Sequence, residues 1–189
     1  MSEEKTENFT EIVEKTTIAD VYRADKNLSG VVKKTKLIAS DFFSEISGNE
    51  IFIKPENMQH TGAFKLRGAY NKISQLTAEE KNKGVITSSA GNHAQGVAFA
   101  AQNLGVKAVI CMPATTPILK VEATKNFGAE VILHGDGFDD AYKHSLDLQK
   151  RISFVIFERN IIFRAKFFNQ ITFENEGFDF GFRDNCFKI

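Results

Sequence analysis

From Gly84 onward, apolar and polar residues alternate in blocks. VITS (Val85 to Ser88) is a short apolar run, SAGN is a loop, and HAQGVAFAAQN (His93 to Asn103) has helical character. Gly105 closes that helix at a position where glycine takes the left-handed conformation. KAVICMP then reads as a strand and TTPILKVEATKNFG as a helix, with Thr116 as its cap, Pro117 in its first turn and Gly128 at its end. AEVILHG and DGFDDAYKHSLDLQK repeat the order. Short continuous apolar strands separated by amphipathic helices are what a parallel sheet covered on both faces requires, so the pattern predicts a doubly wound α/β fold. Ahead of it, residues 10 to 30 read as helix, IFIKPE as a strand and Phe64 to Leu76 as a helix. No internal repeat interrupts the chain.

The pattern stops at Arg151. Residues 151 to 189 hold 10 of the 18 phenylalanines and no leucine, with neither a helical nor an alternating period. Two readings stand: an aromatic strand pair, or AT-rich coding sequence read out of frame. The second is favoured, because local and global signals agree along folded chains.

Composition narrows the function. Lys plus Arg and Asp plus Glu both number 24, so no basic field exists to hold nucleic acid or an anionic membrane. The start, MSEEKTENFTEIVEK, has no apolar signal core, and nowhere do 18 apolar residues run together, which makes a cytoplasmic location the expectation. Cys111 and Cys186 lack partners at metal or disulfide spacing. Gly135-Asp136-Gly137 with Asp139 and Asp140 offers too few spaced ligands for a metal loop and reads as a solvated helix start, with His134 and His144 as ordinary polar positions. No metal is expected.

Two stretches carry chemistry. In QHTGAFKLRGAY, Lys65 begins a helix, where positive charge opposes the dipole and does nothing for helix stability. Apolar surroundings and a positive helix end favour the neutral amine, which condenses with an aldehyde to form a Schiff base. By itself a lone lysine is weak evidence, since most are solvated. In TSSAGNHAQG (residues 87 to 96), small residues follow a strand and open a helix, so backbone N–H groups and a dipole end converge on a turn suited to a carboxylate or phosphate. The stretch has neither the dinucleotide GxGxxG spacing nor a P-loop GK[ST]. Asn92 could donate to a phenolate-like oxygen or simply cap the helix.

Together, KPENMQHTGAFKLRGAYNKI and VITSSAGNHAQGVAFAAQNLGVKAVICMPATTPILKVEATKNFGAEVIL closely resemble the threonine dehydratases (threonine ammonia-lyases) from about Ile18 to Lys150. These are pyridoxal-phosphate enzymes of the tryptophan synthase β-like fold (fold type II), to which serine racemase also belongs. The resemblance implies that Lys65 forms the Schiff base with pyridoxal 5'-phosphate, that Phe64 lies against its ring and that Asn92 bonds the ring's 3′ oxygen. Ser88, Ser89, Ala90, Gly91, Asn92 and His93 would form the loop that clamps the substrate carboxylate. It implies dehydration and deamination of L-threonine, and of L-serine, to a 2-oxo acid and ammonia. That places the chemistry in threonine catabolism or isoleucine biosynthesis, in a homo-oligomer.

Departures from the family set alternatives beside this. The resemblance implies a second half with a glycine-rich phosphate loop, but this chain has no Gly-Gly pair, so a truncated form of the fold is expected. Thr35-Lys36-Leu37 stands where the family usually has Thr-Pro-Leu. The expected organisation is residues 1–83 as the N-terminal part of the larger cofactor domain, 84–150 as the smaller α/β domain, and 151–189 as the aberrant tail. A serine racemase-like enzyme, another β-elimination enzyme, or an inactive fragment are the alternatives.

Overall fold

The computed structural model describes residues 17–152 and 154–156. The Phe-rich stretch from residue 157 onward, and with it most of the out-of-frame expectation, lies outside the described residues, as does residue 10 to 16 of the first predicted helix.

The sheet at the centre is parallel throughout. Strands β3 (Val85–Ser88), β4 (Ala108–Met112) and β5 (Glu130–Leu133) follow the three predicted apolar runs. A short β6 (Val155–Ile156) joins on the far side of β3, giving the order β5-β4-β3-β6. Registers such as Ser88 opposite Cys111, and Cys111 opposite Ile132, align the carboxyl ends of the three longer strands. Helix α5 (Asn92–Asn103) links β3 to β4, α6 (Ile118–Asn126) links β4 to β5, and α7 (Phe138–Ile152) leads to β6. Gly105 and Gly128 have φ of 64° and 78°, the left-handed stops that the sequence predicts after α5 and α6.

Both sheet faces are covered, as the continuous apolar strands require. On one, Val85 and Ile110 meet Ala94, Val97 and Ala101 of α5 and Val121 of α6. On the other, Ile86, Val109 and Cys111 meet Ala141 of α7 and Phe154. Helix α3 (Lys65–Ser74) belongs to the first layer, where Ala69 and Ile73 share the α5 core. It is therefore built on the same core as the strands after Gly84.

Ahead of α3 the chain is more irregular. Helix α1 (Ile18–Leu28) starts from Thr17, whose N–H donates to the Asp20 carboxylate, and buries Val21, Ala24 and Leu28. β1 (Ile38–Ala39) and β2 (Phe52–Ile53) pair antiparallel around α2 (Asp41–Ser47), and a 3₁₀ turn covers Glu56–Met58. The predicted strand IFIKPE thus shrinks to two residues, because Pro55 offers no N–H to continue a ladder. The short α4 (Ala78–Lys83) carries a Thr77/Glu80 capping box. Among the described residues no helix is long and apolar enough to cross a membrane.

Candidate active site

Strand order marks a place for a ligand. β3 leads to β4 on one side through α5, whereas β6 lies on its other side and is reached through α7 on the opposite face. Connections leaving in opposite directions open a crevice at the carboxyl end of β3, the switch point where open α/β sheets bind ligands. The Ser88–Gly91 turn stands there.

The turn leads directly into α5. Gly91 is the N-cap and, having no side chain, caps none of the first-turn N–H groups. Among the described residues a Cβ built on Gly91 would meet nothing within 4 Å, which leaves space beside the helix end. Asn92, the first helical residue, is exposed. The sequence left Asn92 as either a cap or a donor; the structure gives the cap position to Gly91 and frees the amide for a ligand.

The other side of the crevice is α3. Phe64 is its N-cap and Lys65 its first residue, both half-buried, with the Lys65 amine 4.6 Å from the Phe64 ring centroid. The contact holds an ammonium against an aromatic face and offers a neutral amine an apolar side. What brings α3 and α5 together is Gly96, one turn after Asn92. A Cβ there would stand 2.9 Å from the carbonyl carbon of Lys65 and 3.0 Å from the Leu66 nitrogen.

Of the turn residues, not all reach the crevice. Side chains alternate along a strand, so Ser88 shares the face of Ile86, the α7 side. Its hydroxyl is buried with no hydrogen-bond partner among the described residues. Ser88 can serve the site only through its main chain. The Ser89 hydroxyl accepts from the Gly91 N–H at 3.3 Å and shapes the turn. Ala90 is half-buried and presents only a methyl group. His93 is buried, with its Nε2 3.2 Å from the Thr87 hydroxyl, so that edge of the ring points into the fold. Thr116 is not the cap of α6: Pro117 holds that position, and the half-buried Thr116 hydroxyl has no hydrogen-bond partner among the described residues.

Support for α3 comes from residues that the sequence did not single out. Arg67, two positions after Lys65, is buried and donates through Nε and an Nη to the two Glu56 oxygens, each at 2.8 Å. The Thr35 hydroxyl donates to the same carboxylate. Gln59 grips the Lys33 main chain at both ends, accepting from its N–H at 3.0 Å and donating to its carbonyl at 2.7 Å. Burial raises the Glu56 pKa, but the Arg67 and Thr35 hydrogen bonds and the Arg67 charge outweigh it, so the group sits below the usual carboxylate range. A charge pair eleven residues apart leaves no periodic signature; only an arginine inside an apolar helix face hinted at it.

Cys111 does not compete with Lys65 as a nucleophile. Burial, with Glu130 adding to it, pushes its thiol up to about 11. It should resist iodoacetamide in the folded chain and react once urea unfolds it, as read on its own peptide by mass spectrometry. Rapid labelling of the native protein would contradict the burial argument. No group of three or more candidate metal ligands occurs among the described residues. The His134 and His144 rings stack at 4.0 Å beside the Asp136–Asp140 turn, where Asp140 accepts from the Asp136 and Gly137 N–H groups as an ordinary helix start does.

An amine on an aromatic face, an exposed amide and an uncapped helix N-terminus around open space suit an aldehyde cofactor with an aromatic hydroxyl and an anionic substrate. The residues present fit pyridoxal phosphate on that side of the site. The chain belongs to the pyridoxal-phosphate dependent enzyme family, which it matches over residues 28–177. It is similar to the L-threonine ammonia-lyase of Thermotoga maritima, at 50% identity over 135 residues that make up 71% of this chain and 34% of that protein. It is also similar to the catabolic L-threonine dehydratase of Escherichia coli K12, at 51% over 123 residues, 65% of this chain and 37% of the relative. The chain thus spans about a third of the length of these relatives. Among solved structures, the processed form of threonine deaminase isoform 2 from Solanum lycopersicum superposes with a TM-score of 0.67 at 39% identity, covering 75% of this chain and 40% of that one. Serine racemase from Dictyostelium discoideum gives 0.71 at 32%, covering 76% and 47%. The fold is the α/β parallel-sheet fold of these pyridoxal-phosphate enzymes, and the family's cofactor is pyridoxal 5'-phosphate.

Proposed function

We propose that this chain carries the lysine-bearing part of a threonine ammonia-lyase, converting L-threonine to 2-oxobutanoate and ammonia, and L-serine to pyruvate and ammonia. The observation that carries this reading is the packing of the Lys65 end of α3 against Gly96, one turn inside the α5 N-terminus at the β3 switch point. The names of the relatives support the substrate class.

Lys65 would hold the cofactor through its amine, Phe64 would lie against the ring, and the Asn92 amide would donate to the ring's 3′ oxygen. When bound, pyridoxal phosphate supplies an electron sink for the charge left by removal of the substrate Cα proton. The Lys65 amine, when free, would be the base that takes that proton. The N–H groups of Ala90 and of the first turn of α5 would hold the substrate carboxylate, while Ser89, whose own N–H donates to the Cys111 carbonyl, accepts from the Gly91 N–H and shapes the turn. His93 anchors the turn from below through Thr87.

Residues 1–83 and 84–150 would contribute to a larger and a smaller domain, with residues 151–189 as the aberrant tail apart from the end of α7, Phe154 and β6, which belong to the sheet, in a cytoplasmic homo-oligomer serving threonine catabolism or isoleucine biosynthesis. Assay of 2-oxobutanoate from L-threonine, in a polypeptide extended to the length of the relatives, tests the activity. Absence of turnover with both threonine and serine would reject it.

Ala90 favours elimination over racemisation. Inverting Cα needs an acid on the face opposite Lys65, and a methyl group cannot donate a proton. With L-serine, D-serine should form at least about 10²-fold more slowly than pyruvate, the scale of a missing general acid. Equal rates by chiral chromatography would favour the racemase reading.

A further inference from the structure

The geometry points to Gly96 as a positioning residue that sets where Lys65 stands relative to Asn92. This rests on the reading of Lys65 as the amine that holds the cofactor. Gly96 lies one helical turn beyond Asn92, so both are on one face of α5. It is buried, and its α-carbon abuts the peptide that joins Lys65 to Leu66. A Cβ would approach the Lys65 carbonyl carbon to 2.9 Å, the Leu66 nitrogen to 3.0 Å and the Lys65 oxygen to 3.1 Å. All three are backbone atoms, which cannot rotate away as a side-chain tip could. Glycine is a poor helix former and alanine the best, so helix propensity opposes glycine here. Its use matches the close approach.

An added methyl must therefore push the start of α3 off α5. The displaced segment is Lys65 itself, and its amine moves with it. Core residues deeper in the helix pair, such as Ile73 and Ala101, lie away from that contact and hold the fold together.

The test compares Gly96→Ala with Gly105→Ala in a polypeptide extended to the length of the relatives. Gly105 follows the same helix at its other end, with φ of 64° and nothing within 4 Å of a Cβ, so its substitution strains the chain without touching α3. Each protein is mixed with pyridoxal phosphate and reduced with borohydride, and the pyridoxyl group on the Lys65 peptide is followed by mass spectrometry. Gly96→Ala should trap it at least about 10-fold more slowly than the parent and shift the visible absorption of the loaded protein, since ångström-scale misplacement costs up to about 10²-fold. Gly105→Ala should lower the unfolding midpoint yet trap at the parental rate. Parental trapping and absorption in Gly96→Ala would overturn the assignment.

If Gly96→Ala does not fold in plain buffer, the same comparison is made in trimethylamine N-oxide, which favours the compact state. Failure to fold even there, while Gly105→Ala folds, would also overturn it, because the contact would then be holding the domain and not the lysine. A parent that traps no pyridoxyl group at Lys65 removes the cofactor reading and this inference together. A parent that traps it but deaminates neither amino acid removes only the threonine ammonia-lyase reading.

Discussion

In the extended polypeptide, Lys65→Ala should abolish the proposed 2-oxobutanoate formation, by about 10⁴-fold or more, while leaving the fold intact. On the proposed reading two roles would be lost with one amine: covalent retention of the cofactor and the base at Cα, the latter alone worth about 10² to 10⁴. Among the described residues, Arg67 two positions on cannot substitute. Its guanidinium is committed to Glu56. Cys111 is buried on β4 with its thiol pushed up to about 11. Stability should scarcely change, because Lys65 is half-buried at a helix start where its charge is unfavourable. Circular dichroism and the unfolding midpoint should match the parent. The borohydride-trapped pyridoxyl group should vanish from its peptide. Turnover within tenfold of the parent, or trapping at another lysine with activity kept, would sink the assignment.

The sheet was legible because buried parallel strands announce themselves as continuous apolar runs. Val85–Ser88, Ala108–Met112 and Glu130–Leu133 all fall inside the runs read from sequence, and Gly105 and Gly128 mark the helix ends. The shortest elements were less so. β1 and α2 are too short to build a period, β2 was read as the longer run IFIKPE, and β6 is two residues within a Phe-rich stretch that has none. Of the candidate site, the roles came from the resemblance, while the positions of Lys65 at a helix start and of the Ser88–His93 turn between strand and helix were legible. Their facing was not, since it depends on a glycine whose neighbour lies thirty residues earlier. The direction of Ser88 and the burial of His93 likewise depend on strand parity and on Thr87, which local composition does not encode.

Arg67→Ala should destabilise the chain by about 3 kcal/mol at pH 7, the low end of the cost of stripping one partner from a buried ion pair. The low end applies because Glu56 keeps the Thr35 hydroxyl and a long contact to Gln59 after the guanidinium is gone. Against the ~5–15 kcal/mol total of an ordinary domain, such a loss would be visible as a large shift in urea midpoint. The pH dependence separates lost charge pairing from lost packing. In the parent, the folded-state pKa of Glu56 is lowered, so its contribution to stability is fully present above the unfolded value of about 4.3 and is lost as the pH falls through the folded one. Burial, already the largest single influence on Glu56, raises its pKa, and without Arg67 it is opposed only by the hydrogen bonds from Thr35 and Gln59. Protonation then stabilises the fold, and the variant should recover relative to the parent as the pH drops from 7 toward 5. Glu56→Gln on top of Arg67→Ala should recover a similar share at pH 7, since a neutral amide has no charge to strand. The double-mutant cycle should show coupling of at least about 1 kcal/mol. A deficit that is the same at pH 7 and pH 5, and is unrelieved by Glu56→Gln, would mean that Arg67 supports α3 through the volume of its side chain and not through its charge.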